Sequence, residues 1–282
     1  MHLYEMGIHM KTFNRFVIDE KSDDVVSNIS LDENVETFDA NFIKRATKVT
    51  SFNLQAKDFE SLNYKKEIQY LFKTYFFPNF DLNKTMRGFD PNKFNAVVDI
   101  LKSENSKALA ALHKYPLKGV GPGEVLMYFI IDDAHLGGGS SAGVDLIIGS
   151  NQYEIKSVER HSSGYAYGFK LGGTVNISSV TQDIVALAKQ YKDELKLTRP
   201  TEIGKGALEK LSKLAPKEYN DIVNRYREAA YKGYFSLHPI IFMYNSTKKN
   251  IGKVMAVQNV QLNDIDIDAV TSGTIKPKVT LR

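Results

Sequence analysis

The run Gly143-Val-Asp145-Leu-Ile-Ile-Gly-Ser-Asn-Gln-Tyr153-Glu154-Ile-Lys156-Ser-Val158 decides how the chain is read. Its two apolar stretches, 144–148 and 152–158, are short and rich in Val and Ile. Gly149-Ser150-Asn151 joins them, which is turn composition between strands. Side chains alternate along a strand, so Glu154 and Lys156 share one face while Tyr153 and Ile155 take the other. In the preceding strand Asp145 points away from Val144, Leu146 and Ile148. A two-residue loop, Gly149-Ser150, sets Asp145 opposite Glu154, and a four-residue loop sets it opposite Lys156. Either even register gathers Asp145, Glu154 and Lys156 on one face; an odd register does not.

N-terminal to this hairpin the pattern is mainly helical. Residues 1–50 hold short apolar pairs (Val17-Ile18, Val25-Val26, Phe42-Ile43) without a sustained period. The spacing of Phe59, Leu62, Ile68, Leu71, Phe72 and Tyr75 predicts a helix over 57–75, and Pro78 stops it. Asp90-Pro91 opens a second helix through Phe94, Val97, Val98 and Leu101, and a third covers 106–114. Beyond Gly119-Val-Gly-Pro-Gly123 the pattern gives a helix over 122–133 and a glycine-rich loop over 136–143.

After the hairpin, Ser179-Val-Thr-Gln182 reads as a capping box. It opens a helix with Ile184, Val185, Leu187, Ala188, Tyr191 and Leu195 on one side. Helices over 208–214 and 219–231 follow, then buried strands at 239–244 and 253–258 and a last strand at 274–281. Helices interleaved with apolar strands predict an α/β domain over 115–282, preceded by a mainly helical part, 1–114, with an acidic leader.

The 282 residues are 43% hydrophobic and 25% charged, an ordinary globular composition, and no repeat period is visible. Cysteine is absent, which excludes disulfides, Cys-ligated zinc, iron–sulfur clusters and a cysteine nucleophile. The longest apolar run, 125–131, is too short to span a membrane, and residues 1–10 lack a signal layout. The expected location is therefore the cytoplasm. Residues 1–40 hold nine acids and three bases, a net of −6, so the remaining chain carries +10 of the +4 total. A basic body with an acidic leader suits a polyanion-binding protein, although uneven surface charge has the same appearance.

Two carboxylates opposed in a sheet repel unless a cation lies between them. A hard divalent cation such as Mg²⁺ prefers oxygen ligands, and it can activate water and stabilise charge developing on a phosphodiester. The arrangement Asp145…Glu154-Ile155-Lys156 resembles the PD-(D/E)XK nuclease superfamily, in which a strand Asp precedes an acid-x-Lys on the next strand and a helical acid precedes both. Glu124 matches the helical acid, Asp145 the strand Asp, Glu154 the second acid and Lys156 the lysine. Val144 stands where the family often has Pro.

The resemblance implies a restriction-endonuclease-like mixed sheet flanked by helices, with Asp145, Glu154 and the Ile155 carbonyl as metal ligands. Glu124 would support metal or water, and Lys156 would orient the nucleophile. The expected cofactor is Mg²⁺, with Mn²⁺ as a substitute. The expected activity is cleavage of nucleic acid, DNA before RNA, in a bacterial or phage-infected cell, and a homodimer is the arrangement considered. The rival from another class is a non-catalytic nucleic-acid-binding or phage assembly protein that keeps the fold. The bland alternative for the cluster is a solvated cross-strand group of ion pairs.

Two other acid-x-Lys triplets, Asp19-Glu-Lys21 and Glu194-Leu-Lys196, lack the strand context. The glycine-rich loop has no Gly-Lys-Ser/Thr, so it reads as a loop beside the site and not as a nucleotide-binding P-loop. An acid in the first turn of a helix, as at Glu124, also simply complements the dipole. Asp81-Leu-Asn-Lys-Thr-Met86 begins like a calcium loop but lacks its glycine. His135 and His161 read as isolated histidines in polar loops. Lys170, Lys189 and Lys192, with Lys196, Tyr165, Tyr167 and Phe169, are candidates for phosphate contact and base stacking.

Overall fold

The computed structural model describes residues 54–138, 144–171, 175–245 and 249–282. The expectations for the leader, for the pairs within 1–50 and for most of the glycine-rich loop lie outside these residues. The chain forms an α/β structure with one mixed, mostly antiparallel sheet and a helical N-terminal part.

Helix α1, Lys65–Phe76, begins later than its apolar pattern suggested. Phe59 is buried beside it from a separate 3₁₀ turn, Ala56–Asp58, and Leu62 is exposed. Helix α2, Pro91–His113, starts as the sequence predicts, with Asp90 accepting from the Asn92 and Lys93 amides. It is kinked at Asn105 (φ −153°, ψ 92°), whose side chain accepts from Ala108 N–H, so the expected second and third helices meet at one break. Helix α3, Glu124–Ile130, is buried along its whole length. It is shorter than the expected 122–133, because Ala134–Leu136 leaves it as strand β1.

Strands β2, Leu146–Ile148, and β3, Asn151–Arg160, form the expected hairpin. Ile148 faces Asn151 and Leu146 faces Tyr153, the register of the two-residue loop. Gly149 at φ +59° supplies the left-handed turn residue. Strand β4, Tyr165–Tyr167, pairs with the far end of β3. Helices α4, Ser178–Gln190, α5, Lys192–Leu195, α6, Lys205–Leu214, and α7, Pro216–Ala230, follow. The capping box at Ser179 does not form: α4 already starts at Ser178 behind Ile177, and no side chain caps it. Helix α7 runs into a π-helical turn, Tyr231–Phe235, closed by Ser236 N–H to the Tyr231 carbonyl at 2.9 Å.

Strands β5, Ile240–Tyr244, and β6, Val254–Gln258, precede a hairpin of β7, Ile265–Thr271, and β8, Thr274–Thr280. The parallel pair in the sheet is β3–β5; the other pairs are antiparallel. Strand β5 is an unbroken apolar run because both its faces are covered. Ile241 and Met243 join Ile155 in a core with α1, α2 and α3, while Ile240 and Phe242 join Val158 in a second core with α4, α6 and α7. The first core crosses position 114, where the sequence pattern changes character. Among the described residues no helix is long and apolar enough to cross a membrane.

Candidate active site

Three of the four expected residues are set by the hairpin. Asp145 lies one residue before β2, where the ladder ends. Its backbone N–H still reaches the Tyr153 carbonyl at 3.1 Å, and its Oδ2 accepts the Ile155 N–H at 2.8 Å in place of a strand partner. Because the N–H and C=O of one strand residue leave on the same side, the Ile155 carbonyl also opens toward Asp145. Lys156 Nζ stands 2.8 Å from Glu154 Oε1 and 3.8 Å from Asp145 Oδ2. The carboxylates of Asp145 and Glu154 and the ammonium of Lys156 thus converge on one face, as the even register requires.

Glu124 arrives from the other layer. Gly123 ends the preceding loop at φ +100°, where a Cβ would lie 2.6 Å from the Met243 sulfur, so α3 begins hard against β5. The Glu124 carboxylate turns back to accept Gly121 N–H at 2.5 Å. Burial, and then Asp145, push its pKa well above the ordinary carboxylate range. Asp145 is raised as well, by burial and by Glu154, against the opposing pull of Lys156 and the Ile155 amide.

Simple electrostatics shows why Glu124 is the acid that keeps its proton. Two carboxylates about 5 Å apart repel by about 3 kcal/mol at an effective dielectric of 20, and an ammonium about 3–4 Å from each offsets this. Lys156 therefore balances the Asp145–Glu154 pair but not Glu124 in addition. Among the described residues no group of three His, Asp or Glu side chains has metal-site spacing. The oxygen donors that could hold a hard cation here are the Asp145 and Glu154 carboxylates and the Ile155 carbonyl, with the buried Glu124 carboxyl beside Asp145.

Two neighbours were not singled out from sequence. Tyr234, on the π-helical turn, donates its hydroxyl to Glu154 Oε1, and its ring lies 5.4 Å from Lys156 Nζ. Burial and the Glu154 carboxylate hold its proton far above the usual phenol range. It continues the buried stripe Ile222, Val223, Tyr226 and Ala230 one turn further, and that spacing could have found it. On the opposite face of β3, His113 at the end of α2 bonds Ser157 Oγ through Nε2 at 3.1 Å. Burial lowers its pKa to about 4, and its Nδ1 has no hydrogen-bond partner among the described residues.

The proposed nucleic-acid contacts are more scattered. Lys170 is exposed, close enough to Lys276 to lower that lysine's pKa after burial has done so. Lys189 and Lys192 are exposed, but Tyr191 interrupts the helix between them, and Lys196 takes a left-handed conformation at φ 54°. Lys189, Lys192 and Lys196 therefore do not share one helical face. Phe169 is buried against Phe235 and Phe242 and is closed to stacking. Tyr165 and Tyr167 remain half-buried on β4, with His161 stacked on Tyr165 at 4.6 Å. His135 lies on β1 and not in a loop.

At the mouth of the glycine-rich loop, Gly137 N–H bonds the Asp145 carbonyl at 3.2 Å. A Cβ on Gly137 would sit 2.3 Å from the Val144 carbonyl oxygen, so only glycine permits this approach. Comparison of the chain with protein families, with curated proteins and with solved structures yields no match.

Proposed function

We propose that the protein is a Mg²⁺-dependent nuclease of the PD-(D/E)XK type that hydrolyses phosphodiester bonds, with DNA as the substrate. The observation that carries the proposal is the convergence of Asp145, Glu154 and Lys156 on one sheet face, with Asp145 replacing a ladder partner for Ile155. The finer fold assignment belongs to the same proposal. A long central strand with an antiparallel neighbour carrying the Asp, a parallel neighbour beyond it and helices on both faces supports a restriction-endonuclease-like core.

Asp145, Glu154 and the Ile155 carbonyl would hold the cation. When bound, it would activate water and stabilise charge on the phosphodiester. Lys156 would orient the attacking oxygen from its position between the two carboxylates. Glu124, held protonated by its surroundings in the metal-free protein, would take a water or ionise as positive charge arrives. A cytoplasmic setting in a bacterium or phage-infected cell completes the proposal.

The test is incubation of the full chain with single-stranded, duplex and branched DNA and with RNA, with and without MgCl₂. Metal-dependent cleavage is expected, and Lys156→Ala should abolish it while leaving the circular dichroism spectrum unchanged. Cleavage undiminished by Lys156→Ala would overturn the assignment. The 2.8 Å Lys156–Glu154 pair also suits a second reading, a non-catalytic nucleic-acid-binding or assembly protein whose cluster is structural. That reading predicts salt-sensitive binding without metal-dependent cleavage.

A further inference from the structure

Glu154 receives two hydrogen bonds on one oxygen. Lys156 Nζ reaches Oε1 at 2.8 Å, and the Tyr234 hydroxyl donates to the same atom. Oε2 accepts neither. The tyrosine that does this is fixed from several directions. Its side chain is buried at the end of α7, its ring meets Phe235 edge-on at 5.2 Å, and its face lies toward the Lys156 ammonium. It sits on a π-helical turn, a conformation that is rare in proteins and concentrated at functional sites. Toward a carboxylate the tyrosine hydroxyl acts as the donor. It thus complements Lys156: one donor crosses from the neighbouring layer, the other comes from the same strand.

A carboxylate with one oxygen pinned by two donors has a fixed plane, and its free oxygen has a fixed direction. Here the Asp145 carboxylate lies on the same face, its Oδ2 3.8 Å from the Lys156 ammonium that also bonds Glu154. We propose that Tyr234 is a positioning residue of the metal site: with Lys156 it anchors Glu154 Oε1, so that Oε2 is presented to a divalent cation held jointly with Asp145. The inference rests on the nuclease reading and extends it to the layer carrying α7, whose π turn then serves the site as well as the core. Partners that orient a ligand in this way typically change metal affinity 10- to 100-fold when removed.

The experiment uses full-length wild type, Tyr234→Phe, Glu154→Gln and the double variant, with MgCl₂ as the probe. Phenylalanine keeps the ring against Phe235 and Lys156 and deletes only the donor. Mg²⁺ affinity is measured by titration calorimetry, the Mg²⁺ midpoint of cleavage by rate, and metal-free melting by circular dichroism. Tyr234→Phe should weaken Mg²⁺ binding about 10-fold and raise the midpoint of cleavage equally, with cleavage recovering at high Mg²⁺. In the Glu154→Gln background the hydroxyl should no longer matter to Mg²⁺ binding.

Unchanged Mg²⁺ affinity in Tyr234→Phe overturns the inference, as does a lowered melting temperature with an unmoved midpoint, the mark of a packing role. Wild type that binds Mg²⁺ but cleaves nothing removes the nuclease reading alone, and the calorimetry still decides the role of Tyr234. Wild type that binds no Mg²⁺ removes both.

Discussion

Glu124 is the residue at which stability and the proposed activity pull apart. Its folded pKa is raised by burial and by Asp145, so the folded state holds a proton that the unfolded chain releases above its own pKa of about 4.5. The stability linked to this group is fully present below that value and is lost as pH rises toward the folded pKa. Glu124→Gln keeps an acceptor for Gly121 N–H and removes the titration. At pH 7 without metal the variant should be more stable than wild type by about 3 kcal/mol, with the difference vanishing below about pH 4. Thermal melts across that range, with cleavage assayed in parallel, check this. A gain in stability together with a loss of cleavage is expected; a variant less stable at neutral pH would show that Glu124 is ionised and well paired.

At the scale of elements, the hairpin register is held by the core more than by its turn. Leu146 and Ile148 are buried on one face of β2, and burying each is worth about 1.5–3 kcal/mol. An odd register would turn both to the opposite face and carry Asp145 off the site. Altering the turn costs only about 1 kcal/mol. One glycine inserted between Gly149 and Ser150 should therefore be absorbed in the loop. Mg²⁺ affinity and cleavage should stay within a few-fold of wild type, and stability should fall by about 1 kcal/mol. Loss of Mg²⁺ binding by a folded insertion variant would mean that the turn, and not the core, sets the register.

The same balance explains which elements were legible in the sequence. The β2–β3 hairpin was readable because alternation, turn and buried positions agree, and so was the start of α2 at Asp90-Pro91. Strands β1 and β4, three residues each, are too short to show a period, and they exist because β2, β3 and β8 offer them partners. The Ser179 capping pattern failed because local capping is worth about 1 kcal/mol and tertiary packing starts α4 two residues earlier, with Ile177 at the cap. At the site, Asp145, Glu154 and Lys156 follow from spacing in one hairpin. Tyr234 lies some eighty residues away and meets Glu154 only because β5 returns parallel to β3 and brings the end of α7 with it.

Over the whole molecule, the core formed with α2 and α3 holds two ionisable groups with opposite demands. His113, wedged between α2 and β3, has its folded pKa lowered to about 4 by burial, so the unfolded chain binds its proton more readily. Stability from keeping it neutral is fully present above about pH 6.5, the unfolded value, and is lost as pH falls through the folded one. Glu124 does the reverse, losing stability as pH rises. Between about pH 5 and pH 7 these two slopes oppose one another and leave a net change of about 1 kcal/mol from the pair. Removing either titration should expose the other. In Glu124→Gln, metal-free stability from denaturant unfolding should rise by about 2 kcal/mol from pH 5 to pH 7.5, the His113 contribution alone. In His113→Gln, which can still bond Ser157, stability should instead fall over the same interval. The two variants must therefore diverge in sign, since the groups titrate in opposite senses. Parallel pH profiles in both would show that neither burial shift survives in the folded protein.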